Sequence, residues 1–458
     1  MLIYFLLFSI LVLFLIALVA YEGEILSPPT IICAMFVPAV LSAIYNKNRW
    51  GLVLHLNTYC VVAGGLMIFV LISVITRYLY VSRAKKVGSK EQGRRLPDLF
   101  KVENWKVNLL FIYVMAISLM YLYYVYKIVG TYYGRNLSWT ETMSRFRYLV
   151  SYGNGNIKVP VLVEQGHQFV NSIGIVSIYV LLHNYVISGI IQKNVLLLII
   201  VSTISSLLDS GRLNVIVLIV AIVTLYDIFH KYYKGNGVKV NIKFIIRAIV
   251  GFIALCGGFV WLKQVAGRVD DKDPFYYITY YLGQSIRNLD VYLQKTPKRP
   301  EIWGKETFYG WNHFLYLITG KEQFNYIVHK EFLYYKGAST GNVYTMFRAY
   351  IHDFGYGGLI ILTGLFAFII SIWYLKIKFK RRETCKRFDK SIICYSYLMF
   401  TVYTAFFADY FFCRVLSLFI LKFIFYIFLL EFFLIKLKLV RGVGYEKGRE
   451  VNGHYSNI

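Results

Sequence analysis

The sequence predicts an all-α, polytopic membrane protein. Of its 458 residues, 58% are hydrophobic and only 16% are charged, whereas a soluble chain carries about a quarter of charged residues. Apolar runs of about twenty residues recur, which is the length a helix needs to cross a bilayer. Such continuous runs lack the alternating pattern of a membrane β-barrel. These observations predict a single integral membrane domain over residues 1–458, with about eleven spans and a range of ten to twelve.

The predicted spans follow one another as apolar runs bounded by polar or charged residues. The first, residues 2–20, has neither a basic start nor a small-residue cleavage site, so we interpret it as a retained helix and not a signal peptide. The others lie, in chain order, at residues 29–45, 56–77, 107–129, 168–190, 195–209, 213–229, 244–262, 356–375, 391–409 and 414–435.

The charge distribution predicts which ends of these spans are cytoplasmic. The net charge is +26, but the basic residues cluster between apolar runs, which is typical of cytoplasmic loops and argues against a nucleic-acid partner. Basic connections at residues 82–106, 230–243 and 376–390 fall on one side if the spans alternate, and the basic C-terminal tail joins them. By the same alternation, "YEGE" (21–24) is internal and "YNKNRW" (45–50) is external. We therefore predict a plasma-membrane protein with a cytoplasmic C-terminus.

Two long connections are predicted on the outer face. The first outer loop covers residues 131–166, and the large outer loop covers residues 263–354. The large loop carries twelve basic and nine acidic residues and is rich in aromatic residues, so disorder is not expected. Loops of this length without a function are uncommon. We expect short amphipathic helices that lie on the outer leaflet.

The end of the large loop, "GNVYTMFRAYIHDFGYGG" (341–358), is the strongest candidate site. Arg348 and His352 are four residues apart and share a helix face with one edge of Thr345. Asp353 follows, and glycines at 355, 357 and 358 are expected to break the helix where it meets the span. These residues can bind a diphosphate and accept a proton. The letters DFG alone do not indicate a kinase, because the glycine-rich loop, the strand lysine and the HRD loop are missing.

Further residues on the outer face complete the candidate set. Arg212, in the turn "LLDSGRLN", can present a guanidinium to a phosphate, although pairing with Asp209 or binding to lipid headgroups explains it equally well. His167 can act as a base, but a capping role is favoured. The candidate substrate-binding residues are Arg145, Arg147, Arg268, Arg287, Asn342, Tyr344, Thr345 and His167.

Metal and cofactor sites are not predicted. The acidic cluster "VDDKD" (269–273) contains an Asp-x-Asp pair, but such clusters are common in polar loops, so we interpret it as a chance feature. The six cysteines are scattered without metal-ligand spacing.

Three stretches resemble the Wzy family of oligosaccharide repeat-unit polymerases. "SSLLDSGRLNVIVLIVAIVTL" resembles that family's Gly-Arg turn between two spans, and "PEIWGKETFYG" is similar to its Gly-x-x-Thr-Phe element. "GNVYTMFRAYIHDFGYGGLIILTGLFAFI" resembles its Asn-x-Tyr-Thr … Asp-Phe-Gly-x-x-Gly segment. The resemblance covers roughly residues 100–435, in the same order and on the same predicted face.

The resemblance implies a bacterial inner-membrane glycosyltransferase that polymerises undecaprenyl-diphosphate-linked repeat units, with a GT-C-like architecture. It implies membrane lipids, a chain-length regulator and a flippase of the same pathway as partners. Together with the residue chemistry, it predicts a metal-independent reaction in which Arg212 and Arg348 bind the diphosphate and Asp353 or His352 is the base.

Two alternatives stay open: an O-antigen ligase, and a lipid-linked oligosaccharide flippase or other transporter. The absence of an internal repeat and the concentration of charge in one outer loop argue against the flippase.

Overall fold

The protein folds into long apolar helices with smaller elements at one end. The computed structural model describes residues 1–86, 99–152, 159–208, 213–234, 257–258, 260–261, 273–295, 300–326, 328, 330–379 and 388–437. In chain order the elements within these ranges are α1 (Leu2–Ala20), α2 (Pro28–Tyr45), α3 (Lys47–Trp50), α4 (Leu56–Lys86), α5 (Asn104–Tyr133), α6 (Trp139–Tyr152), α7 (Val161–Ser188), α8 (Lys193–Ser205), α9 (Leu213–Lys234), α10 (Pro274–Gln294), α11 (Tyr309–Thr319), a 3₁₀ turn (Glu322–Phe324), β1 (Leu333–Tyr335), β2 (Ala338–Gly341), α12 (Phe347–Lys378), α13 (Lys390–Leu398), α14 (Phe400–Tyr403), α15 (Phe411–Val415), α16 (Leu418–Glu431) and a π turn (Phe432–Lys436).

The helical, polytopic class is confirmed. Within the described residues, eight helices are long and apolar enough to cross a membrane: α1, α2, α4, α5, α7, α9, α12 and α16 with its π turn. The predicted span 195–209 corresponds to α8, whose 13 residues extend only about 20 Å at 1.5 Å per residue. The predicted span 244–262 lies almost entirely outside the described residues.

The predicted span at 391–409 is not one continuous helix, because the chain there forms α13 and α14 and then turns before α15. The hydroxyls of Thr401 and Thr404 donate to the carbonyls of Leu398 and Phe400, both at 2.7 Å, and such back-bonding bends helices. The Ala405 carbonyl leaves the helical pattern and accepts from the Met346 amide at 2.9 Å. The break therefore anchors the chain directly before α12.

One end of the helix bundle gathers the residues that were predicted to be external. The Trp50 indole donates to the Tyr276 hydroxyl at 3.3 Å, and His55 Nδ1 lies 2.9 Å from the Asp290 carboxylate. The connection between α2 and α4 thus packs on α10, which belongs to the predicted large outer loop. This agrees with placing both on the same side of the membrane.

The opposite end gathers residues that were predicted to be internal. Glu24 pairs with Lys378 at 2.8 Å and lies 3.9 Å from Lys231, while Arg77 pairs with Glu22 at 2.6 Å. The 22 residues between His55 and Arg77 along α4 correspond to about 33 Å of helix, close to the hydrocarbon thickness of about 30 Å. The spacing of the two ends fits a membrane-spanning bundle.

Helices α4 and α12 run side by side in the same direction. Phe69 packs on Phe366 with ring centroids 5.3 Å apart, and Ser371 Oγ lies 2.9 Å from Ser73 Oγ. From the first contact to the second, the residue numbers increase in both helices, so the helices are parallel and both begin at the end that carries α10. The predicted alternation of spans gives these two helices the same direction.

The predicted outer loops contain helices and a small hairpin. Within the described residues, the predicted first outer loop contains α6, and the predicted large loop contains α10 and α11. Short amphipathic helices were expected in the large loop: α11 has 11 residues, whereas α10 has 21 residues and is largely buried. The large loop also contains a two-stranded antiparallel hairpin, β1–β2, which the all-α prediction omits. Its strands are only three and four residues long, too short for a period-two hydrophobic pattern to reveal them.

A labelling experiment tests the sidedness. Asn48→Cys and Ala338→Cys, both at exposed positions, should react with a membrane-impermeant maleimide in intact spheroplasts. Lys193→Cys, at the exposed first residue of α8 on the predicted cytoplasmic side, should react only after permeabilisation. Labelling is compared with a parent protein whose native cysteines are replaced. If only position 193 is labelled in intact spheroplasts, the orientation of the protein is the reverse of the predicted one.

Candidate functional site

The site is built around the loop at residues 303–308, whose backbone is held from two sides. The Asn312 amide donates to the carbonyls of Trp303 and Gly304, both at 3.3 Å, and to the Tyr326 hydroxyl at 2.9 Å. Tyr326 in turn donates to the Lys305 carbonyl at 3.1 Å. Because its carbonyls are fixed in this way, the loop presents Glu306 in a defined orientation.

Asp353 holds the same loop from the other side. Its carboxylate accepts from the Thr307 amide at 2.7 Å and from the Glu306 amide at 3.0 Å. Hydrogen bonds from backbone amides to a carboxylate are among the stronger ones in proteins. Asp353 therefore ties the first turn and a half of α12 to the 303–308 loop.

Arg348 forms the centre of the site. Its Nη2 atom lies 3.1 Å from Glu306 Oε1, and its guanidinium lies 4.0 Å from the Tyr344 ring centroid and 4.8 Å from that of Tyr292. The side chains of Arg348 and Glu306 are only 6% and 7% exposed. The Nε and Nη1 atoms are buried without a hydrogen-bond partner among the described residues. Buried donors of this kind are rare in proteins and need a partner.

His352 lies next to this pair. Its Nδ1 is 2.9 Å from the Tyr292 hydroxyl, and its Nε2 is 4.0 Å from Glu306 Oε1. Burial raises the pKa of Tyr292 to about 12, so the phenol stays neutral at physiological pH. At 20% side-chain exposure, His352 is more accessible than Arg348 or Glu306.

A second cation approaches the same carboxylate. Lys330 Nζ lies 3.8 Å from Glu306 Oε2, and that oxygen makes no hydrogen bond within the described residues. Glu306 thus lies between two cations, and one of its two carboxylate oxygens makes no hydrogen bond within the described residues. A polar ligand can therefore replace part of the contact between Glu306 and these cations.

Helix α10 and the β-hairpin support this arrangement. The Asn288 amide donates to the carbonyls of Thr340 at 2.9 Å, Val343 at 3.1 Å and Gly341 at 3.2 Å. Arg287 Nη1 donates to Thr340 Oγ1 at 3.0 Å, and burial lowers the pKa of Arg287. Arg287 is therefore used to hold the hairpin.

The predicted residues of 341–353 converge as the sequence indicated. Arg348, His352 and Asp353 all contact the 303–308 loop. The Tyr344 ring packs under the guanidinium of Arg348, while its hydroxyl donates to the Glu331 carbonyl at 3.0 Å. Thr345 is fully buried, and its Oγ1 makes no hydrogen bond within the described part of the chain. Asn342 is half-buried at the start of this segment.

Other predicted residues lie elsewhere or outside the described ranges. His167 is buried between helices, with Nε2 2.9 Å from the Ser205 carbonyl and its ring stacked on Tyr121. Arg145 is exposed on α6 with its guanidinium 4.7 Å from the Tyr133 ring centroid, and Arg147 is half-buried on the same helix. Arg212 and Arg268 lie outside the described residues.

The acidic cluster at 269–273 is described only at its last member. The Asp273 carboxylate accepts from the amides of Phe275 and Tyr276, both at 3.1 Å, and so caps the N-terminus of α10. Within the described ranges no group of three or more His, Cys, Asp or Glu side chains is arranged to hold a metal ion.

Sequence reasoning missed Glu306, Tyr292 and Lys330. Glu306 lies in the stretch "GKETF", whose Gly-x-x-Thr-Phe spacing was noted without a role for the glutamate. A charged residue inside a stretch that resembles a family motif was the available signal. Nothing in the local pattern singles out Tyr292 or Lys330, because they meet Arg348 and Glu306 only through the tertiary fold.

The helix of the site is broken where it meets the span. Gly355 has φ 68° and ψ −162° inside α12, a conformation that is essentially restricted to glycine. The first eight residues of α12, which carry Arg348, His352 and Asp353, therefore take a direction of their own. The glycines of the sequence were expected to break the helix here, and that prediction is confirmed.

Replacing Gly355 should disturb both stability and the site. Gly355→Ala should lower the free energy of unfolding by about 1–3 kcal/mol, because alanine must adopt a strained backbone conformation. Gly357→Ala is the matched control, since a Cβ there meets no atom within 4 Å and the backbone is helical. We expect the control to be neutral or stabilising by up to about 1 kcal/mol. Thermal unfolding in detergent measures both, and equal effects would contradict the assignment of Gly355 as the break.

Comparisons with known proteins identify no relative: no family model matches the chain, and neither a curated protein nor a solved structure matches it significantly. The fold and the site define a class. The protein is a helical, polytopic membrane protein with a buried arginine–glutamate pair beside a half-buried histidine, at the end of the bundle that carries the large connecting loop.

Proposed function

We propose that the protein is a glycosyltransferase of the bacterial inner membrane that polymerises undecaprenyl-diphosphate-linked oligosaccharide repeat units on the outer face. In this proposal the bundle has about eleven spans, a GT-C-like architecture and a cytoplasmic C-terminus. The observation that carries it is the buried guanidinium of Arg348, whose Nε and Nη1 donors have no hydrogen-bond partner among the described residues. Its partner oxygen, Glu306 Oε1, also lies 4.0 Å from His352 Nε2. The resemblance of the same segment to the Wzy family supplies the substrate class.

Arg348 and Lys330 are assigned to the diphosphate. A guanidinium fixed between two tyrosine rings is preorganised, so it can bind phosphate oxygens without losing further side-chain entropy. When the diphosphate binds, Glu306 releases part of its contact with both cations. Cations placed where negative charge develops on the leaving oxygen stabilise the transition state, which makes a metal ion unnecessary in this proposal.

His352 is assigned as the base. The acceptor hydroxyl attacks the anomeric carbon of the growing glycan, the bond from that carbon to the diphosphate oxygen breaks, and lipid diphosphate leaves. The hydroxyl proton passes to His352 Nε2, while Nδ1–H donates to the Tyr292 oxygen. Asp353 is a positioning residue, because both its contacts go to the backbone of the 303–308 loop.

A deletion strain tests the proposal. Its surface glycan should be reduced to single repeat units, and the chain-length profile on gels should be restored by the wild-type gene. Activity in membranes supplied with lipid-linked repeat units should persist in EDTA. Lipid-linked polymer that accumulates without reaching the surface would instead indicate a ligase, and lipid-linked units trapped on the cytoplasmic face would indicate a flippase.

A further inference from the structure

Helix α11 exposes an apolar face at the end of the bundle that carries the large connecting loop. Trp311, Phe314, Leu315 and Ile318 are three or four residues apart, so they lie along one side of the helix, here called the α11 face. Trp311 is 42% exposed and Ile318 is 65% exposed, and the ring centroids of Trp311 and Phe314 lie 5.4 Å apart. Exposed apolar surface of this kind marks a contact with a protein or with a membrane.

The opposite side of α11 has a different chemistry. His313 is exposed there, and its ring centroid lies 6.4 Å from that of Tyr309 and 6.2 Å from that of Tyr316. Residues 309–320 contain no Asp, Glu, Lys or Arg. A helix with one apolar and one polar side can lie in the surface of a bilayer, where its binding depends on buried apolar area and on attraction to anionic lipids. Because α11 carries no formal charge, apolar area is the term that it offers.

The α11 face lies next to an apolar helix that meets lipid. A side chain at Gly310 would clash with the Cys413 carbonyl and with Ser417, so α11 is in close contact with the chain at the start of α16. Helix α16 is apolar enough to cross a membrane, few of its residues are buried, and Leu421 and Phe425 are among those exposed. The apolar surface of α16 therefore ends where α11 begins.

Trp303 lies at the start of a second apolar helix. Its side chain is 68% exposed, and its ring stacks on Phe308 with centroids 4.9 Å apart and packs on Phe354 at 5.2 Å. Phe354 directly precedes the break at Gly355, after which α12 continues as an apolar span with an exposed Ile361. Tryptophan is enriched where a span meets the surface of the bilayer. Trp303 thus has the position of an interfacial tryptophan.

Asn312 joins this surface to the candidate site. It is buried, and its amide donates to two carbonyls of the 303–308 loop, both at 3.3 Å. The same loop carries Glu306, which pairs with Arg348. A displacement of α11 must therefore move the loop that presents Glu306.

We propose that the α11 face and Trp303 insert into the surface of the bilayer, and that this contact with lipid holds the 303–308 loop in place. The partner is the boundary between the headgroups and the acyl chains, and neutral lipid is sufficient. The inference does not rest on the proposed reaction, because membrane contact requires neither turnover nor a particular ligand. It places the Arg348–Glu306 pair at the membrane surface, where a ligand with a lipid tail arrives without leaving the bilayer.

Spin labels test the contact in the full-length protein. Trp311→Cys and Ile318→Cys are made in a parent protein whose native cysteines are replaced, labelled with a nitroxide and placed in phosphatidylcholine nanodiscs. O₂ concentrates in lipid, whereas a neutral nickel chelate concentrates in water. The ratio of label collisions with O₂ to collisions with the chelate should be about tenfold higher at both positions than at His313→Cys on the opposite side. Added anionic lipid should not change this ratio.

Two results of this experiment would overturn the proposal. Equal ratios at positions 311, 313 and 318 would place the α11 face in water. Few collisions with either reagent at positions 311 and 318 would show that protein covers the face. In that case dipolar broadening between labels would identify a second copy of this chain, and its absence would identify another protein segment.

A charge on the α11 face tests the connection to the loop. Ile318→Glu should lower the collision ratio at position 311 about tenfold, because a carboxylate resists insertion into lipid. A nitroxide at Lys305→Cys, within the 303–308 loop, should then become more mobile. His313→Glu places the same charge on the opposite side and should change neither signal.

The fold and the loop are followed separately in these variants. Circular dichroism should be the same for Ile318→Glu and His313→Glu, which excludes unfolding as the cause of the increased mobility. If position 311 leaves the bilayer while the label at position 305 keeps its spectrum, lipid does not hold the loop and the proposal fails.

Discussion

Arg348→Lys is expected to reduce turnover by about 10²–10³-fold while the protein still inserts and accumulates normally. Lysine keeps the positive charge beside Glu306 but loses the planar group held between Tyr344 and Tyr292. Loss of one preorganised donor to a developing negative charge costs about this factor. The measurement is polymer formed per molecule of purified protein from lipid-linked repeat units.

Controls separate this effect from misfolding. Arg348→Ala leaves the Glu306 carboxylate buried without its partner, which costs about 3–5 kcal/mol and should lower abundance as well as activity. The double variant Arg348→Met with Glu306→Gln removes both charges, so it should fold well and remain inactive. Arg49→Lys, an exposed arginine over the Tyr276 ring at the same end of the bundle, should behave as wild type. Wild-type turnover in Arg348→Lys would remove Arg348 from the reaction.

His352→Ala is expected to lower kcat by about 10²–10⁴-fold, the range for loss of a general base, with little change in melting temperature. The measurement is kcat of the purified protein with lipid-linked repeat units, with thermal unfolding measured beside it. Wild-type kcat in His352→Ala would exclude His352 as the base.

Asp353→Asn should show a different pattern. Both amides donate to the same carboxylate oxygen, Oδ2, so an asparagine oxygen in that place keeps both hydrogen bonds, while its NH₂ group replaces the oxygen that lies 3.3 Å from the Glu306 amide. Because the acceptor is no longer charged, the free energy of unfolding should fall by about 1 kcal/mol, the difference between charged and neutral hydrogen bonds. Turnover should fall only in part, because the 303–308 loop moves while His352 is retained. If Asp353→Asn loses all turnover at full stability, Asp353 is the base and His352 supports it.

The sequence by itself determined the class of protein and part of the site. Apolar runs of bilayer length leave few structures other than a helical bundle, because backbone groups in lipid must bond within their own segment. Helical spacing placed Arg348 and His352 on one face, and the glycines at 355, 357 and 358 indicated a break, because glycine readily adopts conformations that other residues avoid. These inferences depend on interactions within a few residues along the chain, so a local pattern is sufficient.

Only the tertiary structure decided which residues the side chains of the site contact. Glu306 lies 42 residues before Arg348 in the sequence, and their pairing depends on a loop held by Asn312, Tyr326 and the Asp353 carboxylate. The partners of Asp353 could not be predicted for the same reason, because they are backbone amides that carry no sequence signal. The span expected at 391–409 is broken where the Ala405 carbonyl bonds the Met346 amide, a contact between distant segments. Hydropathy measures how apolar a segment is, whereas the fold decides which distant segment completes its hydrogen bonds.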